Sequence, residues 1–504
     1  MQFYNHFPLL IIFIPLIASL FSALINNKQT VRNLTLFVQV VLSVLSFWLL
    51  ISLMNAPVST FTYSMGHFPA PWGNELRAGP FEALLSSAFA LVMLFSILGG
   101  IDDIDRDVIK GNIRYFYLMI NLLTTSLMVF VFTNDIFTGY VFIEINTLAA
   151  CIIVVLKENG ETVKATIKYI FLSILGSGLF LLATSILYGI TGHLLMEPAH
   201  KIIVQLTATG QYHLPLIMTL VLYSIAVSVK SALFPFHTWL PDAHGYATTT
   251  ASAVLSGLVL KGYVVMFIKL VSRVYGIDVV ATLGVMPSLF ALGLLSMVAG
   301  SILALRQKDL KRMIAYSSIA HIGYIFMGIG FNTPIGFAAA TYHVVAHAFT
   351  KSMIFIAAGS LINLAGTKMI PDMRGVARRD KVAGFAFIVG AMSLIGIPLF
   401  AGFPSKFYLA NAVLTREGQG MWIAVITIGL STFLNALYYI PALFKLYSSG
   451  DKPETGSAAV EMSGMKPEFS ASLAMICLIV ANFALGIFYI PLMNALERGF
   501  ALFG

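Results

Sequence analysis

Residues 341–351 read T-Y-H-V-V-A-H-A-F-T-K, which sets His343, His347 and Lys351 four apart, twice over. Steps of four turn a helix through 400°, so the three side chains fall on one slowly drifting stripe, rising about 6 Å per step. Neutral imidazoles and an amine at that spacing, bridged by water, can pass protons along. Two other chemistries fit the same pattern. His at i and i+4 can share a metal ion, but no acid or Cys ligand joins them in this run, so metal ranks last. Packed histidines hydrogen-bonded to neighbouring helices are the purely structural alternative.

Ionisable residues recur in other apolar runs. Glu144 stands in Y-V-F-I-E-I-N-T-L, and Lys230 in A-V-S-V-K-S-A-L-F-P-F-H-T-W-L-P-D-A-H. Lys261 ends L-S-G-L-V-L-K, and Lys406 sits in G-I-P-L-F-A-G-F-P-S-K-F. A charge in hydrocarbon costs at least about 2.5–3.5 kcal/mol, so such residues persist when paired, hydrated or functional. A structural ion pair, or a lysine reaching for the interface, is the alternative for any one of them. Glu144 and Lys230 are expected to pair across two helices. A nearby carboxylate favours the charged form of a buried lysine, and its withdrawal releases the proton. Lys261 and His321 extend the line of polar sites. His237 and His244, beside the Lys230 segment, are further candidates, and a satisfied structural histidine is the competing account of His321.

The elements that must position these residues are membrane spans. The 504-residue chain is 58% hydrophobic and 10% charged, with net charge +8; soluble domains carry about a quarter charged residues. Its mean hydropathy is +0.89. A span needs about 20 apolar residues. Fourteen segments qualify, near 7–26, 32–54, 80–100, 113–132, 134–157, 164–190, 214–239, 246–273, 281–305, 313–332, 335–362, 383–416, 421–447 and 469–494. The longest polar connections are 55–79, 191–213 and 448–468, so no soluble domain is expected. No Lys or Arg precedes the first run and no small-residue cleavage pattern follows it, so it reads as an uncleaved span. Cys151 and Cys477 both fall in apolar runs and offer no disulfide framework. A Gly-rich nucleotide loop and a Cys/His metal cluster are both missing, which assigns redox catalysis to other chains. The basic balance fits membrane topology better than nucleic acid.

Of the 30 Lys and Arg, 20 lie in loops after odd-numbered spans and six after even-numbered spans or at the C-terminus, Lys269 and Arg273 among the six. That bias predicts cytoplasmic odd-numbered loops and both termini outside. Lys230, Lys261, Lys351 and Lys406 remain, each deep in a span. Glu144 is the one acid in mid-span; Glu82 falls at a span edge.

Pro235 follows Lys230 closely, and Pro398 and Pro404 precede Lys406. Proline breaks a helix and frees carbonyls that can hold water beside a lysine. Two interrupted helices in corresponding places mark an inverted-repeat transporter. The expected organisation is residues 1–112 as spans 1–3, 113–273 as a first five-helix repeat with its break at span 7, 281–447 as a second with its break at span 12, and 448–504 as a polar loop and span 14.

The segments 230–244, 255–261, 309–324, 343–351 and 396–407 resemble the antiporter-like subunits of respiratory complex I, energy-converting hydrogenases and Mrp cation/proton antiporters. The resemblance runs from span four to span thirteen. It implies an all-α integral membrane protein of fourteen helices and a proton path through membrane-centre residues. Glu144 and Lys230 match the family's coupling pair, Lys261 its connecting lysine, Lys351 the span-eleven position and Lys406 the terminal site, with His343 and His347 between. It further implies a non-redox, proton-translocating subunit with no cofactor of its own beyond internal waters. Its partners would be other membrane subunits and a peripheral module carrying Fe-S clusters or other redox centres, in a prokaryotic cell membrane. G-Y-A-T-T-T at 245–250 departs from the Pro-rich stretch usual after P-D-A-H. A Na⁺/H⁺ antiporter subunit of the Mrp kind is the first alternative. Hard cations want oxygen ligands, so one mid-span carboxylate favours H⁺ over Na⁺. A non-conducting membrane scaffold, with buried charges fixing helix register, is the second.

Overall fold

The computed structural model describes residues 3–55, 60–68, 73–414, 421–449 and 468–501. Most of the polar loop expected at 448–468, with Lys452 and Lys466, and also Arg416, lies outside the described residues.

Among the described residues, thirteen helices are long and apolar enough to cross a membrane. Numbered as spans, they are Tyr4–Leu24 (1), Lys28–Asn55 (2), Pro80–Leu98 (3), Ile113–Phe132 (4), Ile136–Val155 (5), Gly160–Thr191 (6), His213–Lys230 (7), Thr249–Tyr275 (8), Met286–Leu305 (9), Leu310–Gly330 (10), Pro334–Ala365 (11), Trp422–Tyr447 (13) and Phe469–Ile487 (14). Span 12 is divided into Lys381–Ile395 and Gly402–Leu414. Polar caps start many of them. Asp135, Asn159, Asp309, Thr333 and Asp380 each accept a backbone N–H from the first turn of the helix that follows, which satisfies donors that have no partner inside the helix.

Burial ranks the spans. The most apolar window is wholly buried in span 8 and 94% and 89% buried in spans 10 and 11, against 39% in span 2 and 33% in span 14. The centre is therefore the one place where the polar residues of spans 8, 10 and 11 meet protein rather than hydrocarbon. Spans 9 and 10 pack backbone to backbone. A Cβ on Gly293 would lie 2.5 Å from Met327 N, and one on Gly300 2.6 Å from Ala320 N. Small residues allow this closeness in a bilayer.

The connections hold more structure than expected. Segment 55–79 contains a hairpin of β1 (Phe61–Ser64) and β2 (Glu75–Ala78). Segment 191–213 contains the helix Met196–Thr209. A further helix, Tyr489–Ala501, follows span 14.

Two expectations need correction. Span 8 continues to Tyr275 through a π turn, so Lys269 and Arg273 are buried inside the protein and not in a loop. Glu82 is likewise 1% exposed. Pro404 does not break span 12. It lies in the first turn of Gly402–Leu414, where its missing N–H would have had no helical partner; the break is 396–401, with Pro398 inside it.

Span 14 begins beside Glu468, whose carboxyl is pushed up to about 8 by burial, then by its hydrogen bond to Asp102 and the charges of Asp102 and Asp103, against Arg106. A carboxyl raised by folding is neutral in both states below its ordinary value of 4.5 and loses stability as pH rises through about 8. Glu468→Gln is accordingly expected to leave thermal stability unchanged near pH ~4.5 and to raise it above pH ~8, read by melting the purified protein at both values.

Candidate functional site

The axis begins at the end of span 7. Lys230 is the last helical residue before nine irregular residues, after which Leu240–Tyr246 resumes as a helix. Its Nζ donates to Thr147 Oγ1 at 2.7 Å and lies 5.6 Å above the Tyr263 ring. Tyr263 OH also bonds Thr147, at 3.1 Å. Thr147 stands one turn after Glu144 on span 5, so a hydroxyl separates the expected partners and no direct ion pair joins them. Glu144 itself is half-exposed. It lies on a helix face shared with Phe137, Val141 and Leu148, which are all exposed. Gly176 makes room for Lys230, since a Cβ there would stand 3.2 Å from Lys230 Cγ.

Lys261 is fully buried and donates to the carbonyl of Ser256, within the π turn Leu255–Val259. Such a turn opens the regular ladder and is frequent at functional sites. Ser256 Oγ meets Ser318 Oγ at 2.9 Å, crossing from span 8 to span 10. Next in sequence, Ser317 Oγ accepts from Lys351 Nζ, which also donates to Ile314 O at 2.8 Å. Ser317 and Ser318 both donate to Ile314 O, the carbonyl that Lys351 also binds.

Beyond them stand three histidines with stacked rings. His321 lies 5.0 Å from His347 and 5.3 Å from His343, centroid to centroid. His321 Nδ1 and His343 Nε2 are 3.2 Å apart, and His343 Nδ1 is 2.7 Å from Ser405 Oγ. Ser405 donates to Gly402 O, so its oxygen accepts from His343 Nδ1–H. In that tautomer His343 Nε2 accepts from His321 Nδ1–H. Parallel rings do not aim their nitrogens at one point. Among the described residues no group of three His, Cys, Asp or Glu is placed to hold a metal ion.

Lys406 follows Ser405. It donates to Leu394 O at 2.9 Å, Ile395 O at 2.8 Å and Thr432 Oγ1 at 3.2 Å, and sits 4.9 Å above the Tyr324 ring. The two carbonyls are those freed by the break in span 12. Gly396, at φ +94, leaves the space; a Cβ there would meet Lys406 Cδ at 2.8 Å.

The structure buries Lys230, Lys261, His321, His343, His347, Lys351 and Lys406 within the protein, with the three histidine rings in mutual contact. His321 moves from the edge of the reading to its centre. His244 is fully buried against Phe355, one turn beyond Lys351, and makes no hydrogen bond with protein atoms. His237 stacks on Phe234, away from the axis. Thr147, Ser256, Ser317, Ser318 and Ser405 were not singled out from the sequence. Their signal was Y-S-S-I-A-H, where two hydroxyls precede His321 by three and four residues.

Residues 133–433 match the family model described as NADH:quinone oxidoreductase/Mrp antiporter, TM. NADH-quinone oxidoreductase subunit N of Desulforudis audaxviator is 29% identical over 463 residues, 90% of this chain and 89% of the relative. Putative antiporter subunit mnhD2 of Staphylococcus aureus is 28% identical over 448 residues, 88% and 86% of the two chains. A chain of the membrane-bound sulfane sulfur reductase, an archaeal respiratory membrane complex, superposes with TM-score 0.85 at 25% identity, covering 98% of this chain and 97% of that one. A chain of the Mrp complex from Dietzia sp. DQ12-45-1b has the same fold, with TM-score 0.86 at 19% identity over 99% and 98% of the two chains.

Proposed function

The chain belongs to the NADH:quinone oxidoreductase/Mrp antiporter transmembrane family, and from that premise we propose that it moves protons along the line from Lys230 to Lys406 within a redox-driven membrane complex. The observation that carries the reading is the Ser256–Ser318 contact beside the Lys351–Ser317 bond. It sets hydroxyls of span 10 against span 8, which carries Lys261, and against Lys351 of span 11.

Each site can take or give a proton, or relay one through a hydroxyl. Lys230 holds a proton on Thr147 while the charge of Glu144 stands nearby. Withdrawal of that charge releases the proton toward Lys261. Lys261 passes it through the serines to Lys351, and the histidine stack passes it to Lys406. Repulsion between successive protonated sites drives the last one out. With Lys269 and Arg273 out of the loops, a 20-to-four bias of basic residues supports a prokaryotic cell membrane with the basic loops on the cytoplasmic side.

Glu144 supports partner subunits. A carboxylate on an exposed apolar face cannot stand in hydrocarbon, so a neighbouring membrane subunit is assigned to cover it. A peripheral redox module with Fe-S clusters or other redox centres supplies the energy.

Proton uptake by vesicles holding the purified complex, followed with a pH dye during redox turnover, tests the reading. The expected signal is the same with and without Na⁺. A signal that requires Na⁺ selects the Mrp-type antiporter, and turnover without any gradient selects the scaffold.

A further inference from the structure

Away from the axis, at the end of the bundle opposite the basic loops, lies a second buried charge cluster. Glu82 of span 3 pairs with Arg273 of span 8, with side chains 1% and 2% exposed. Lys269, one turn before Arg273, is fully buried and donates to three carbonyls at the end of span 4. These are Phe130 O at 3.2 Å, Val131 O at 2.9 Å and Thr133 O. The hairpin closes over the same place. Leu76 of β2 bridges to Thr133, Glu75 binds Asn134 through both backbone and side chain, and β2 carries Arg77.

Hydrogen-bond counting gives Lys269 its state. An ammonium has three donors, and carbonyls can only accept. Three carbonyls use all three donors; a neutral amine would turn its lone pair on one of them. Lys406 also has three partners, but its Thr432 hydroxyl can turn and donate, so that lysine can lose its proton. Three carbonyl acceptors favour the ammonium form of Lys269. It lies eight residues beyond Lys261 on the same span, about 12 Å along the helix.

We infer that Lys269 and Arg273, with Glu82 holding Arg273 in place, form a fixed positive barrier that closes the far end of the first half and turns protons away from it, leaving Lys406 as the way out. Fixed positive groups exclude protons and cations from pores by the same electrostatics. Span 4 ends where Lys269 binds, and a cation there also caps that helix; the test separates the cap from the barrier.

The inference rests on Lys261 belonging to the proton line. Passive proton flux into vesicles holding the purified complex is driven by a K⁺ diffusion potential, with no electron donor present. Lys269→Gln keeps amide donors for the cap and removes the charge. It is expected to leak at least about tenfold faster than wild type, while Lys269→Arg stays tight. Adding Lys261→Met should stop the leak. A tight Lys269→Gln overturns the barrier, and so does a leak confined to Lys269→Met, which would mark a cap alone. A leak that survives Lys261→Met also overturns it, by showing general damage to packing. Should Lys269→Gln fail to assemble, Arg273→Gln, which lets Glu82 neutralise Lys269, must leak or the barrier is overturned. Redox-driven uptake by wild type and by Lys230→Met is read separately. Pumping that depends on Lys230, with a tight Lys269→Gln, sinks the barrier and leaves the proton line standing.

Discussion

Lys230→Met in the assembled complex is expected to reduce redox-driven proton uptake about a hundredfold or more, the usual weight of a positioned proton-transfer group, with assembly intact. Methionine nearly matches the length of lysine and fills the space that Gly176 leaves against it, so packing should survive. What is lost is the amine that Thr147 holds beside Tyr263 and one turn from Glu144. Thr147→Val is the companion. It keeps the lysine and removes the acceptor, leaving a buried ammonium without its bond, and should fall between wild type and Lys230→Met. Uptake is read with a pH dye alongside turnover. Unchanged uptake in Lys230→Met, in a complex of normal size, would leave the buried lysine as structure and remove the first step of the mechanism.

Some of this was legible from residue types alone. A lysine in hydrocarbon is costly wherever it occurs, so Lys230, Lys261, Lys351 and Lys406 declared themselves without any knowledge of their neighbours. The spans followed from hydropathy, and the break in span 12 from Pro398 beside Gly396. The connecting groups were hidden for a physical reason. A serine or threonine in a span most often bonds a carbonyl one turn back on its own helix, as Thr147 does to Ile143 and Ser318 to Ile314. Nothing in the sequence tells which hydroxyls also reach across, because that depends on which helices touch. The distance between spans 8 and 10 decides it for Ser256 and Ser318. Lys269 and Arg273 were misplaced for a related reason. A drop in hydropathy usually marks the water interface, but here a π turn and the hairpin carry the protein past it and bury the charges. Pro404 erred the other way: proline breaks an interior turn and suits a first one, and spacing alone does not say where the helix starts.

The sharpest separation between sequence and structure falls on two histidines. His321→Leu is expected to cut proton uptake about a hundredfold, and His237→Leu to leave it within a factor of about two. In sequence both are single histidines near a lysine, with nothing to rank them. In the folded chain His321 is fully within the protein, beside both His343 and His347, which also contact each other, and its Nδ1 lies 3.2 Å from His343 Nε2; His343 in turn meets Ser405, next to Lys406. Removing it breaks the hydrogen bond by which span 10 meets His343. His237 stacks on Phe234 and approaches Tyr316, so its loss changes packing near the break in span 7 and no proton contact on the axis. Leucine is chosen for both because it fills much of the imidazole volume without a titrating group. Native-gel size and redox turnover are read with the pH signal, so a fall in uptake is not mistaken for lost assembly. Equal uptake in the two variants would mean that the histidine stack carries no protons, and the route from Lys351 to Lys406 would have to pass through Tyr324 and the hydroxyls of span 13 instead.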